Sequence, residues 1–136
     1  MPIPDDIARR TKGLFGARLQ GIFAFGSRIS GKAVAASDLD LGVLIAGPMR
    51  RADTWSPWVE EFGNEDPVLD PTFLGERSLD HPPSWLLEAV AGGTEIWLDE
   101  GGRLAAGLAA IEESIRTGAW QRRMFMGLPY YRRGAA

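Results

Sequence analysis

Two carboxylates spaced two residues apart set the chemical question in this chain. Asp38 and Asp40 open an apolar run, Leu39 to Ile45, that reads as a β-strand. Side chains along a strand alternate between faces, so residues at i and i+2 point the same way, a few ångströms apart. Two like charges held so close raise one pKa strongly unless a cation lies between them. A hard divalent ion, which prefers oxygen ligands, would let both stay ionised. The pattern therefore predicts an Mg²⁺ site on Asp38 and Asp40.

The residues before that strand supply what such a metal would act on. Gly26 and Ser27 close an earlier apolar run, Gly21 to Phe25, and ten residues separate them from Asp38. Glycine permits a tight turn with backbone N–H groups facing outward, serine adds a hydroxyl, and a helix starting there would point its positive end at an anion. Such a turn holds phosphate. A phosphate cradle just ahead of a paired-carboxylate strand is a layout for binding a nucleoside triphosphate through its metal.

Other readings fit parts of the same stretch. Ser27 as a helix N-cap and Asp38 and Asp40 as polar turn residues form the plain structural alternative, since Ser and Asp favour those places. An EF-hand-like Ca²⁺ loop fails, because Leu41-Gly42-Val43 continues as a strand where a third ligand and its glycine belong. A P-loop is a sharper rival, for Gly26 to Lys32 fits G-x-x-x-x-G-K after a strand. However, Ala33 stands where a hydroxyl should meet Mg²⁺, and no helix fits between it and the Ser37-Asp38 turn.

Taken together, Gly26-Ser27, Ser37, Asp38-Leu39-Asp40 and the apolar strand that follows resemble the signature of the DNA polymerase β-like nucleotidyltransferase superfamily. The nearest resemblance is to the minimal nucleotidyltransferases (MNT, the MntA-like antitoxins), small proteins encoded beside HEPN-domain partners as toxin–antitoxin pairs. This resemblance implies an α/β (α+β) nucleotidyltransferase fold, a short mixed β-sheet with helices packed mainly on one face. It implies transfer of a nucleoside monophosphate, AMP from ATP, to a hydroxyl, with two Mg²⁺ ions taking part and a Tyr of a HEPN toxin as acceptor. It also assigns Gly26 and Ser27 to the β- and γ-phosphates and Arg28 to the triphosphate. A third carboxylate belongs on a neighbouring strand, where Asp70 matches and Asp66 is the alternative. Asp70 would share the metal that activates the acceptor hydroxyl, or act as general base toward it. Two other functions stay open: a non-catalytic module that silences its partner by contact alone, and a nucleotidyltransferase acting on a small molecule or an RNA end.

Bulk properties suit a small enzyme domain. The 136 residues are about one domain's worth, residues 1–136, with 118–136 an aromatic and basic C-terminal tail. No Cys is present, so neither disulfides nor thiolate chemistry enters, which suits the cytoplasm. No long apolar N-terminal run and no stretch of about 18 continuous apolar residues is found, so neither a signal peptide nor a membrane span is expected. A net charge of −3 argues against general nucleic-acid binding, which demands a large basic footprint.

The remaining elements must position the site. Pro4-Asp5-Asp6 opens a helix to about Ala17, with Ile7, Leu14 and Phe15 on one face. Lys32 reads as a solvated loop charge and Gly31 as a left-handed turn. After the basic loop 49–53, a helix from Thr54 to Phe62 carries Trp55, Trp58, Val59 and Phe62 on one face. These aromatics read as core, with the framing of a nucleobase by the two Trp as the alternative. A strand follows over Pro67 to Leu74. There Pro71, which has no N–H to donate, demands an edge or a bulge. His81-Pro82-Pro83 is a loop and His81 has no partner in sequence. Ser84 to Ala91 forms a helix closed by Gly92-Gly93, Thr94 to Leu98 a last strand, and a final helix runs from Gly101-Gly102 to about Thr117. Its Leu104, Leu108, Ile111 and Ile115 form one seam. The tail beyond Gly118, with four Arg among Trp, Phe, Met and Tyr, is too apolar to hang free and too irregular for a helix. Packing on its own domain, joining a second copy and docking on a partner are the three uses open to it.

Overall fold

The structure of the chain is a computed structural model that describes residues 3–26, 29 and 38–134. Helix α1 (Pro4–Phe15) begins with proline in its first turn followed by Asp5 and Asp6, and it stops at Gly16, whose φ of +58° suits glycine. It leads through a short 3₁₀ turn into β1 (Leu19–Phe25), which pairs antiparallel with β2 (Leu39–Ile45). Helix α2 (Trp55–Phe62) then carries the chain over to β3 (Leu69–Leu74), which lies parallel to β2. The short helix α3 (Glu76–Asp80), helix α4 (Ser84–Gly92), β4 (Glu95–Asp99) and helix α5 (Arg103–Arg116) follow. β4 pairs antiparallel with β1, and the strand order is β3-β2-β1-β4.

Alternation along the central strands builds two cores. Ile22, Ala24, Leu41, Val43 and Ile45 face α1 and α2, where they meet Ile7, Phe15, Trp58 and Phe62. Phe23, Leu44 and Leu74 face the other way, toward Leu79 of α3, Leu86, Leu87 and Val90 of α4, and Leu104, Leu108 and Ile111 of α5. The fold class is therefore the mixed α/β arrangement expected. The helices, however, divide between the two faces of the sheet, where the resemblance led us to expect them mainly on one. The reason is legible in the packing: both central strands are apolar on both sides, and each side needs its own cover.

Two local features tie this scaffold to the carboxylate end. Trp58, only 1% exposed, packs on Phe62 and Phe73 and donates its indole N–H to the Leu69 carbonyl at 3.4 Å, bracing β3 just before Asp70. Both Trp58 and Phe62 are thus core, as their spacing suggested. Arg10 clamps α1 to α2 through Glu61 at 2.9 Å and Glu65 at 2.7 Å while lying over the Phe62 ring.

The tail forms a β-hairpin: β5 (Trp120–Phe125) and β6 (Leu128–Arg133), paired antiparallel as a sheet of their own. Met126 and Gly127 make the turn with φ of +50° and +78°, the two positive values that a two-residue hairpin of matching twist requires. Sequence reading could not see this, because Met-Gly is not the Asn-Gly or Asp-Gly that usually announces such a turn. Among the described residues, no helix is long and apolar enough to cross a membrane.

Close packing over Gly42 yields a test of the scaffold. Gly42 stands opposite Phe23 on β1, and a Cβ there would overlap the Phe23 ring. Gly42→Ala must push that ring out of the core that covers the carboxylate face, and is expected to cost about 1–3 kcal/mol of unfolding free energy. Urea denaturation checks it: the midpoint should fall while the slope stays unchanged.

Candidate active site

Register decides which side chains meet. β1 runs antiparallel to β2, so its last residue, Phe25, lies opposite Asp40 near the start of β2. β3 runs parallel to β2, so Asp70, near the start of its own strand, stands directly beside Asp40. Neighbouring strands lie about 4.8 Å apart, and paired residues share a face. A backbone hydrogen bond from the Leu39 N–H to the Val68 carbonyl, 2.8 Å, holds the two strand starts level. Asp38 is exposed just ahead of β2, near enough for its charge to act on Asp40.

The third carboxylate is therefore placed by strand pairing. Asp70 is the residue brought beside Asp40; Asp66 is exposed and lies outside β3. Pro71, which demanded an edge or a bulge, sits on β3 opposite Leu41 of β2, and β3 is an edge strand, where a missing N–H leaves one side of the ladder unused. His81 is exposed in the turn after α3, apart from these strand starts.

Gly26 follows Phe25 directly. Its φ is +88°, a value L side chains rarely adopt, and a Cβ at this position would run into the Asp40 carboxylate. Glycine is thus required twice over, by the backbone and by the closeness of Asp40. The Gly26 carbonyl accepts a hydrogen bond from the Ile29 N–H at 3.1 Å, which closes a turn at this end of β1. Ser27 and Arg28, expected to touch phosphate, lie outside the described residues, as do Gly31 and Lys32.

Electrostatics single out Asp40. Its half-buried position raises the pKa of its carboxyl above the ordinary aspartate value, and the charges of Asp70 and then Asp38 push it further the same way. Each of these causes penalises the ionised form. A hard cation would reverse the two charge contributions, and the donor set, carboxylate oxygen throughout, is the kind that Mg²⁺ prefers. In chemistry, then, the residues fit a divalent ion. Among the described residues, no three acidic or histidine side chains are drawn together as a ready-made metal cage.

Sequence reading missed the wall of this site. Phe25 shares the face of Asp40, and its ring packs on Trp85, at the start of α4, with centroids 5.7 Å apart. Trp85 lies on the helix expected from Ser84 to Ala91, but only the antiparallel register shows that this helix meets the strand end beside the carboxylate.

Comparison with known proteins agrees with the geometry at the level of fold. No protein-family model matches the chain, and no curated protein matches it in sequence. Solved structures do match. A crystal structure of a toxin–antitoxin with AMP-PNP superposes with a TM-score of 0.60 at 16% identity, covering 85% of this chain and 89% of the other. A complex of tri-AMPylated Shewanella oneidensis HEPN toxin with MNT antitoxin gives a TM-score of 0.57 at 18% identity, covering 84% of each chain. A toxin–antitoxin MntA-HepT structure gives 0.53 at 16% identity, with 84% and 86% covered. Identities this low speak for the fold alone.

The raised pKa of Asp40 predicts how stability depends on pH. A carboxyl whose pKa is higher folded than unfolded contributes stability below the unfolded value and loses it as pH rises through the folded one. At neutral pH the ionised Asp40 is therefore a net cost. Asp40→Asn should melt at a higher temperature than the parent chain at pH 7 in chelator, and this advantage should shrink as pH is lowered through the carboxylate range. Differential scanning calorimetry at several pH values decides it.

Proposed function

We propose that this chain, which has the fold of the minimal nucleotidyltransferase structures, is a Mg²⁺-dependent nucleotidyltransferase. Its reaction moves AMP from ATP onto a hydroxyl, and the acceptor is a Tyr of a HEPN-domain partner that the chain serves as antitoxin. The observation that carries this reading is Asp40 beside Asp70 and behind Asp38, at a strand end that Gly26 turns away from. Support for the partner comes from the neighbours in fold, one of which is a complex of an AMPylated HEPN toxin with an MNT antitoxin.

In this reading the turn at Gly26, with Ser27 and Arg28, holds the β- and γ-phosphates of the donor. Asp38, Asp40 and Asp70 would hold Mg²⁺, which when bound offsets charge on the attacking and leaving oxygens. The acceptor oxygen attacks the α-phosphorus in line, forming one O–P bond while the bond to the β-phosphate oxygen breaks and pyrophosphate leaves. Asp70, exposed at the sheet edge, takes the acceptor proton or passes it to water. Phe25, opposite Asp40, packs on Trp85 and would bound the donor site on that side.

A contact-only module is the second reading, favoured by the absence of a preformed three-residue cage among the described residues. Label position separates the two. With ATP labelled on the α-phosphate and the partner present, radioactivity should appear in the partner; with label on the γ-phosphate it should not. Asp38→Asn with Asp40→Asn should lower the transfer at least about a thousandfold, the scale expected when charge stabilisation of a transition state is lost. Partner protection that survives this double substitution would establish the contact-only module.

A further inference from the structure

Side chains along the β5–β6 hairpin sort into three levels. The base is tied to the body: Arg122 makes two bonds of 2.9 Å to Glu88 of α4, the Tyr131 hydroxyl donates to the same carboxylate at 2.6 Å, and the Arg133 guanidinium lies 4.4 Å over the Trp120 ring. The middle is cationic. Arg123 stands opposite Tyr130 and Arg132 opposite Gln121, on the face that strand alternation turns away from Glu88, and both Arg are exposed. The tip, Met124 to Pro129, carries no charged side chain. Met124, Phe125, Met126 and Leu128 in it are 55%, 68%, 87% and 70% exposed.

This apolar surface runs round the tip. Met124 and Pro129 share the face of Arg122 and Tyr131, Phe125 and Leu128 share the other, and Met126 stands at the turn between them. Met126 holds a φ of +50°, where Gly or Asn costs less, so an apolar side chain is kept exposed against the preference of the turn. A groove in a rigid protein would cover one face of such a ribbon and leave the other wet. Single-stranded nucleic acid binds by stacking bases on aromatic faces, and Met124, Met126, Leu128 and Pro129 offer none. A lipid surface surrounds whatever enters it.

Charge favours the same occupant. From Gly118 onward there are four Arg and no Asp or Glu, so residues 1–117 hold the other eleven Lys and Arg against all eighteen Asp and Glu. The hairpin is the cationic pole of an acidic chain, and an anionic surface would attract it and turn the body away. We propose that the hairpin is a membrane-docking element, its Met124–Pro129 tip entering the interfacial zone of an anionic bilayer while Arg123 and Arg132 meet the headgroup phosphates. From the turn back to Met124 is about 7 Å at about 3.4 Å per residue, within the roughly 5–10 Å to which interfacial elements sink. Each strand of this two-stranded sheet keeps one unpaired edge, which bars the hydrocarbon centre and holds the tip at that depth. Tyr130, 41% exposed and level with Arg123, has the apolar ring and polar end that suit the boundary. This attachment does not depend on the transfer reaction proposed above.

Flotation of the full chain with vesicles tests this, comparing phosphatidylcholine containing about 30% phosphatidylglycerol with phosphatidylcholine alone. Binding to the anionic vesicles is expected at about 0.05 M salt and should weaken at about 0.5 M. Arg123→Ala with Arg132→Ala should lower the affinity roughly thirtyfold at the lower salt. Phe125→Asp with Met126→Asp should lower it at least about tenfold, in both cases with unchanged circular dichroism. Because the chain has no Cys, Met126→Cys takes a polarity-sensitive dye at one site, and its emission should move to shorter wavelength on the anionic vesicles. Four results would each overturn the proposal: no binding to either vesicle, equal binding to both, binding that leaves the dye in water, or a tip that prefers a second copy of the chain or a single-stranded oligonucleotide to the vesicles.

Discussion

Repulsion among carboxylates is the constraint on which the rest of this structure turns. Asp40 is partly withdrawn from water and is pressed as well by the like charges of Asp70 and Asp38, so its ionised form is disfavoured where it stands. A cation bound beside such an arrangement would relieve it, and a donor set of oxygens alone suits a hard one. Strand direction creates the crowding. Parallel pairing puts the beginnings of β2 and β3 level, and antiparallel pairing brings the end of β1 to the same place, so two carboxylates and a glycine turn arrive together from distant parts of the sequence.

Everything around that point serves to hold the strand ends in register. The carboxylate face is sealed by Phe23 lying over Gly42 and by the helices α4 and α5 behind it, while Trp58 on the opposite face braces β3 one residue before Asp70. Proline at position 71 belongs to the same design. On an edge strand it needs no outer partner, and it gives up only a donor that would otherwise point at solvent and invite another strand.

Much of this was legible in the residues, for physical reasons that can be named. Two-residue alternation put Asp40 on the face opposite Leu39 and Leu41, while Asp38 lies just ahead of the strand, and the positions of α1, α2, α4 and α5 followed from apolar spacing with proline, acidic and glycine boundaries. Asp70 in preference to Asp66 was not decidable, because strand register is a matter of pairing and leaves no mark on a single strand. The distribution of helices over two faces was missed for a related reason: an all-apolar strand says that both sides are covered and not by what. The hairpin was missed because Met126 occupies a backbone conformation for which methionine has no preference, so local chemistry pointed away from the structure that long-range packing on Glu88 secures.

Burial and its carboxylate neighbours raise the proton affinity of Asp40, and under the proposed function a divalent ion bound beside it would lower that affinity again. Carbon-13 NMR titration of the aspartate carboxyl groups reads this directly, with Asp40 assigned by substitution and the titration repeated in Mg²⁺ with a non-hydrolysable ATP analogue. A pKa for Asp40 above that of an ordinary aspartate, falling once metal and nucleotide are added, is the predicted result. An ordinary pKa that neither addition moves would contradict the account.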